Sequence, residues 1–243
     1  MPAVDLFIPC FVDQLFPQTA MNMVKVLEAV GCEVHYNGNQ TCCGQPAYNA
    51  GYKAESCQVA TKFLNDFPNG PGRYIVSPSA SCVGMVRGTY AELFEDTKDQ
   101  SRYQGLQRRI FEMTEFLVDV LGITQIEGAQ LAGKYTYHDS CAALRECGIR
   151  EAPRTLLDSV LGLERLEMAE TETCCGFGGT FAVKFEAISV AMAEQKVEHA
   201  LATGADYLVS TDTSCLMHLD AYIRRHDKPI RTLHVADVLA SGW

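Results

Sequence analysis

The sequence predicts an α/β protein of two pseudo-symmetric repeats, each a small parallel sheet flanked by helices with cysteine-bearing loops at the carboxyl rim of its strands. Three observations lead there. The tripeptide Cys-Cys-Gly occurs twice, at Cys42-Cys43-Gly44 and Cys174-Cys175-Gly176, each framed by one cysteine upstream and one downstream. The quartets Cys10, Cys42, Cys43, Cys82 and Cys141, Cys174, Cys175, Cys215 have gaps of 31, 0 and 38 residues and of 32, 0 and 39, an agreement that marks a duplicated unit. Within each unit apolar runs of strand length alternate with longer segments of helical period, the pattern of a parallel sheet with helical crossovers.

In the first unit, Val4–Ile8 is an apolar run ending at Pro9-Cys10 and reads as a buried strand. Thr19–Val30 is a helix with Met23, Val26, Leu27 and Val30 on one face and Gly31 as its stop. Cys32–Tyr36 is a short strand, and the polar turn Asn37-Gly38-Asn39-Gln40 delivers the first Cys-Cys-Gly segment as a loop. A helix over about 52–67, a strand at Tyr74–Ser77, and a turn at Pro78–Ser81 follow, with Cys82 opening another helix. The three cysteine-bearing stretches thus all follow strand ends, where open parallel sheets gather their ligands.

The second unit repeats the order. Lys134–His138 is a strand running into Asp139-Ser140-Cys141, Ala152–Gly162 a helix and Leu163–Met168 a strand. Cys174-Cys175-Gly176 is a loop, Ala187–Thr203 a helix, and Tyr207–Ser210 a strand before the helix opened by Cys215. The closing Ile230–Val235 and Ala236–Ala240 answer Phe111–Val120 of the first unit, which carries a longer charged connection over about 95–109. The boundary is expected near Gly122–Gly133, giving repeats of 1–127 and 128–243.

A formal net charge of −10 argues against a nucleic-acid or anionic-membrane binder, because phosphate binding draws on clustered Lys and Arg. The amino terminus lacks a basic segment ahead of its short apolar run, which is unlike a signal peptide. A cytoplasmic chain is therefore expected, and in the reducing cytosol eleven cysteines are not a disulfide framework.

Four thiols gathered from distant stretches point to a metal centre. Zinc sites usually take cysteines as C-x₂₋₄-C pairs, and adjacent cysteines on one metal close a cramped ring. A polynuclear iron–sulfur centre lets neighbouring thiolates bind different irons, so iron–sulfur is read ahead of zinc. The glycine after each pair lets the backbone approach a bulky ligand or take positive φ. Cys32, Cys57 and Cys147 have no counterpart in the repeat and are read as packing residues. His138 sits beside the second quartet, where a histidine binds metal or shuttles protons; the preferred reading is a satisfied core histidine at a strand end. Lys184 and Arg145 are candidate charge compensators. Gly176-Phe177-Gly178-Gly179 lacks nucleotide-loop spacing, and no common hydrolase or zinc-protease motif is present.

The paired Cys…Cys-Cys-Gly…Cys units resemble the cysteine-rich CCG domain family, which includes the cysteine-rich component of heterodisulfide reductase, the iron–sulfur component of glycolate oxidase and the lactate utilization proteins. The nearer likeness is to the last group. It rests on Thr41–Asn49, Val76–Ser79, Cys174–Lys184, Cys215-Leu216-Met217 and His234–Leu239, and it spans essentially the whole chain. The resemblance implies an iron–sulfur electron-transfer subunit of a complex that oxidises L-lactate to pyruvate, with other subunits and a protein electron donor and acceptor as partners. It implies one or two [4Fe-4S] clusters on the eight cysteines of the quartets, each in a shallow pocket of its own half, with zinc as the alternative in one site. A heterodisulfide-reductase-like catalytic subunit and a zinc-stabilised scaffold are the competing functions. The heterodisulfide relatives end their motif Cys-x-x-Cys; Ser79 and Asp212 stand at the first of those positions here, leaving each unit one thiol short. Asp212 is then either an oxygen ligand or the cap of the helix at Cys215.

Overall fold

The structure, a computed structural model, describes residues 1–70 and 72–243. It contains two four-stranded sheets, parallel throughout. The first comprises β1 (Ala3–Leu6), β2 (Glu33–Tyr36), β3 (Arg73–Ser77) and β4 (Ile110–Glu112) in the order β2-β1-β3-β4. The second comprises β5 (Gln130–Tyr137), β6 (Leu161–Arg165), β7 (Tyr207–Ser210) and β8 (Arg231–His234) in the order β6-β5-β7-β8. The two orders are the same, so the duplication read from the cysteines is a duplication of topology.

Most elements lie where periodicity places them. Pro17–Ala29 buries Met23, Val26 and Leu27, and Gly31 ends it at φ +82. Lys53–Asp66, Glu186–Ala202 and Thr213–Arg225 are the other long helices. In the second half the structure moves several boundaries, and β5 begins at Gln130 rather than Lys134. The helix Glu151–Asp158 is shorter than expected, and β6 starts at Leu161, with Gly162 at φ +84 packed over the backbone of Leu131 and Ala132. A residue at positive φ reads as a helix stop, and here it sits inside a strand beside a register shift in β5. The charged connection of the first half contains a helix, Gln100–Gln107, that burial of Tyr103 and Leu106 holds in place.

The halves share their interior. One apolar cluster joins Val4, Leu6, Met23 and Leu27 of the first half to Tyr135, Leu156, Val209 and Leu239 of the second. The packing is reciprocal. Val235–Leu239, which closes the second half, lies on Pro17–Ala29, where Thr19 and Asn22 donate to Asp237 at 3.0 and 2.9 Å. The turns closing the first half, Met113–Glu115 and Phe116–Val120, lie on Glu151–Asp158.

At the start of that closing segment Glu112 is fully buried, its Oε2 accepting from the Thr114 and Glu115 backbone while Oε1 has no partner. Burial pushes its carboxyl up from 4.5 to about 7. A raised carboxyl favours the folded state while protonated. Its contribution is complete below pH 4.5 and disappears as pH rises to about 7, a loss of about 3 kcal/mol at 1.36 kcal/mol per pH unit. Thermal denaturation of Glu112→Gln at pH 5 and pH 8 is expected to show less alkaline destabilisation than the parent; equal slopes would place the proton elsewhere.

Candidate metal centre

In a sheet of order β2-β1-β3-β4 the crossovers leave opposite faces at β1 and β3, opening a crevice between their carboxyl ends. Cys10 follows β1 and Cys82 follows β3, while Cys141 and Cys215 stand in the same relation to β5 and β7. The Cys-Cys-Gly loop leaves the strand beside this crevice and folds over it. Gln40 fastens the first loop, accepting from Ile8 N–H at 2.7 Å and donating to the Leu6 carbonyl at 3.0 Å. It thereby continues the edge of β1 with a side chain.

Each quartet is brought together. Cys10 Sγ lies 3.8 Å from Cys42 Sγ, and Cys43 Sγ 3.4 Å from Cys82 Sγ. In the second half Cys175 Sγ and Cys215 Sγ lie within 4.8 Å of each other, and Cys141 and Cys174 line the same cavity wall and interact through their thiols. Cys43, Cys82, Cys175 and Cys215 are buried, and the other four are half-buried. The expectation of a separate shallow pocket per half is corrected. Because the two rims face each other, all eight thiols line one cavity of about 720 Å³, together with Phe11, Phe177, Ser79 and Asp212.

The glycines are needed. Gly44 and Gly176 have φ +84 and +92, and their N–H groups point at Cys42 Sγ (3.3 Å) and Cys174 Sγ (3.4 Å). A serine hydroxyl locks each carbonyl, Ser56 on Gly44 at 3.2 Å and Ser189 on Gly176 at 2.7 Å. A Cβ on Gly176 would come within 2.6 Å of the Ser189 carbonyl oxygen, whereas on Gly44 it would meet the Ser56 hydroxyl at 3.2 Å. Both Gly→Ala changes cost about 1–3 kcal/mol in backbone strain, and Gly176→Ala is expected to cost more, measured as the difference in urea midpoint between the two variants.

The hydrogen bonds set the charges. Cys42 is pulled down to about 3 by bonds from Cys10, Cys43 and the Gly44 N–H, and Cys174 to about 2 by Cys141, Cys175 and the Gly176 N–H. Cys10 and Cys141 are driven up by donating to those thiolates, and Cys43 and Cys175 by the same sharing with burial added. In each quartet one thiol is favoured as the anion and the thiols that donate to it are held protonated. Ionising all four needs a cation among them, which is the chemistry of a thiolate metal site.

The other expected residues fall as follows. Asp212 is a cap: it accepts from Ser214 N–H at 3.2 Å and, across the halves, from Ser81 N–H at 2.9 Å. Lys184 and Arg145 are exposed and line no part of the cavity. Cys32 is in the core, Cys57 donates to the Leu93 carbonyl, and Cys147 turns away to the Ala80 carbonyl at 3.5 Å. His138 is buried but not satisfied, since neither ring nitrogen has a hydrogen-bond partner, which corrects the reading of a satisfied core residue. Ser56, Ser189 and Gln40 escaped the sequence reading. The serines had a signal, 12 residues after Gly44 and 13 after Gly176.

A family model described as "Cysteine-rich domain", CCG, matches residues 4–87 and again 135–220. The chain belongs to the cysteine-rich CCG domain family. It is 44% identical over 243 residues to "Lactate utilization protein A" of Exiguobacterium sp., covering 100% of this chain and 98% of the relative. The proteins of the same name from Oceanobacillus iheyensis and Halalkalibacterium halodurans are 42% and 44% identical over 237 residues, covering 97% of this chain and 96% of each relative. The crystal structure of a hypothetical protein from Helicobacter pylori matches with a TM-score of 0.56 at 12% identity, over 99% of this chain and 49% of that one. This CCG chain therefore spans about half of that protein, and the likeness is one of fold. Among the described residues no helix is long and apolar enough to cross a membrane.

Proposed function

We propose that the chain is a cytoplasmic iron–sulfur electron carrier, a subunit of a complex that oxidises L-lactate to pyruvate. The observation that carries this reading is the convergence of eight thiols, as two quartets, on one cavity. The repeats 1–127 and 128–243 are its functional units, one centre each. The donor set fits: four sulfurs per site, adjacent cysteines able to reach different metals, and a backbone N–H aimed at a sulfur in each half. When bound, a [4Fe-4S] cluster supplies one-electron redox chemistry.

The residues determine the rest. Cys42 and Cys174 are favoured as thiolates, and Cys10, Cys43, Cys141 and Cys175, held as thiols by donating to neighbouring sulfur and by burial, release protons as metal enters. The Gly44 and Gly176 N–H groups stabilise negative sulfur, favouring the reduced state. Phe11 and Phe177, edge to face at 5.8 Å, cross between the halves and limit water. The cavity wall carries Glu146 and Asp212 but, among the described residues, no Lys or Arg. A lactate carboxylate finds no cationic partner there, which favours electron carriage over lactate binding. Oxidation of lactate releases two electrons, and two quartets provide a place for each.

The cavity also lies within the roughly 300–1,000 Å³ of small-ligand sites. That size favours, as second reading, a catalytic role acting on a disulfide between the centres. Anaerobic purification with iron, sulfide and zinc analysis tests the proposal. About four or more irons per chain, with acid-labile sulfide, supports it; zinc alone rejects it in favour of a scaffold. Disulfide turnover by the isolated chain selects the second reading.

A further inference from the structure

The two quartets sit in unlike surroundings. Phe7 and His138 each stand three residues before the first cysteine of their quartet. They occupy the same place in the fold, for their N–H groups donate to Val76 and Val209, each at 2.9 Å. Phe63 and Lys196 correspond as well, each seven residues after the serine that locks the Cys-Cys-Gly glycine. In the first half Phe7 and Phe63 pack edge to face with centroids 4.7 Å apart. In the second half that apolar pair is replaced by an imidazole and an ammonium, both buried.

The two polar groups do not satisfy each other. Lys196 donates to the carbonyls of Glu170 and Thr171. His138 is fully buried with Nδ1 and Nε2 both unpartnered, and leaving a buried polar group without a partner is costly. Its surroundings say what the missing partner is. A ring nitrogen of His138, Cys175 Sγ and Cys215 Sγ all lie within 4.8 Å of one another. Imidazole with thiolates is a donor set for zinc and iron.

We propose that His138 is a metal ligand of the second centre, making it a mixed imidazole–thiolate site while the first is held by thiolates alone. This rests on the reading of the quartets as metal centres. The second half then offers five donors, His138 with Cys141, Cys174, Cys175 and Cys215, against four in the first. His218, the other histidine near the second loop, is engaged with Ser189 at 3.2 Å and is not a ligand.

The test is pulsed EPR of the full chain, loaded anaerobically with iron and sulfide and reduced. One strongly coupled nitrogen is expected. It changes isotope pattern when histidine is supplied as ¹⁵N, persists in His218→Gln and is lost in His138→Phe, a change that installs the residue found in the first half. Cobalt(II) loading gives the same readout for a chain that takes only zinc. Metal bound by the labelled parent without a histidine coupling overturns the inference, as does a coupling that survives His138→Phe. A parent that binds no metal removes the metal-centre reading and this inference with it. The labelled parent decides the matter even where His138→Phe does not fold.

Discussion

Cys43→Ser alone or Cys175→Ser alone is expected to halve the metal bound per chain, and the two together to abolish it. These cysteines are the inner members of the quartets, each buried and touching two other sulfurs of its set. A serine hydroxyl keeps the volume but titrates far too high to serve as a ready anionic ligand. Losing a direct ligand costs more than the roughly 10- to 100-fold in affinity lost with an outer partner. Iron and sulfide analysis after anaerobic loading checks the stoichiometry, and circular dichroism checks that the fold survives. Under the proposed function, lactate-dependent reduction by the reconstituted complex is expected to fall with either single change, because one of the two proposed centres is then missing. Unchanged iron in both single variants rejects the assignment of ligands.

Arg154→Met is expected to destabilise the protein by about 3–5 kcal/mol, because it leaves a buried carboxylate without its counter-charge. Arg154 grips Asp139 through two bonds of 2.8 Å, holds Glu167 at 2.7 Å and stacks 4.7 Å from the centre of the Tyr137 ring. Asp139 is 1% exposed and lies between His138 and Cys141, so the pair also braces the strand end that presents the second quartet. For a chain of this length the expected fall in Tm is on the order of 10 °C. Arg154→Met with Asp139→Asn is expected to recover much of it, since removing both charges abolishes the stranded one. A double variant no more stable than the single would assign the loss to packing over Tyr137.

The alternation of strand and helix was legible because the inner strands bury β-rich apolar residues and the long helices carry apolar faces, as at Tyr207–Ser210 and Thr19–Val30. The cysteine quartets were legible from spacing alone, since a duplicated unit keeps its intervals. The short helices Cys10–Leu15, Gln45–Asn49 and Thr180–Lys184 were not. They are one to two turns long, too short to show a period, and they start where the chain must turn around the site. The single cavity was not legible either. It depends on how two sheets dock, and local periodicity carries no information on that. His138 was visible as a residue but not as an orphan, because satisfaction of a buried ring is decided by neighbours remote in the chain.

The loops of the two halves are stitched at their tips. Asp212 accepts from Ser81 N–H, and His234 Nε2 donates to the Pro78 carbonyl at 2.9 Å. Electron tunnelling weakens steeply with separation, so a relay works at a steady pace only if its stepping stones do not drift apart. With seams beside the quartets and a common interior beneath them, the gap between the two centres of the proposed carrier is built into the folded chain and does not wait on the arrival of a partner.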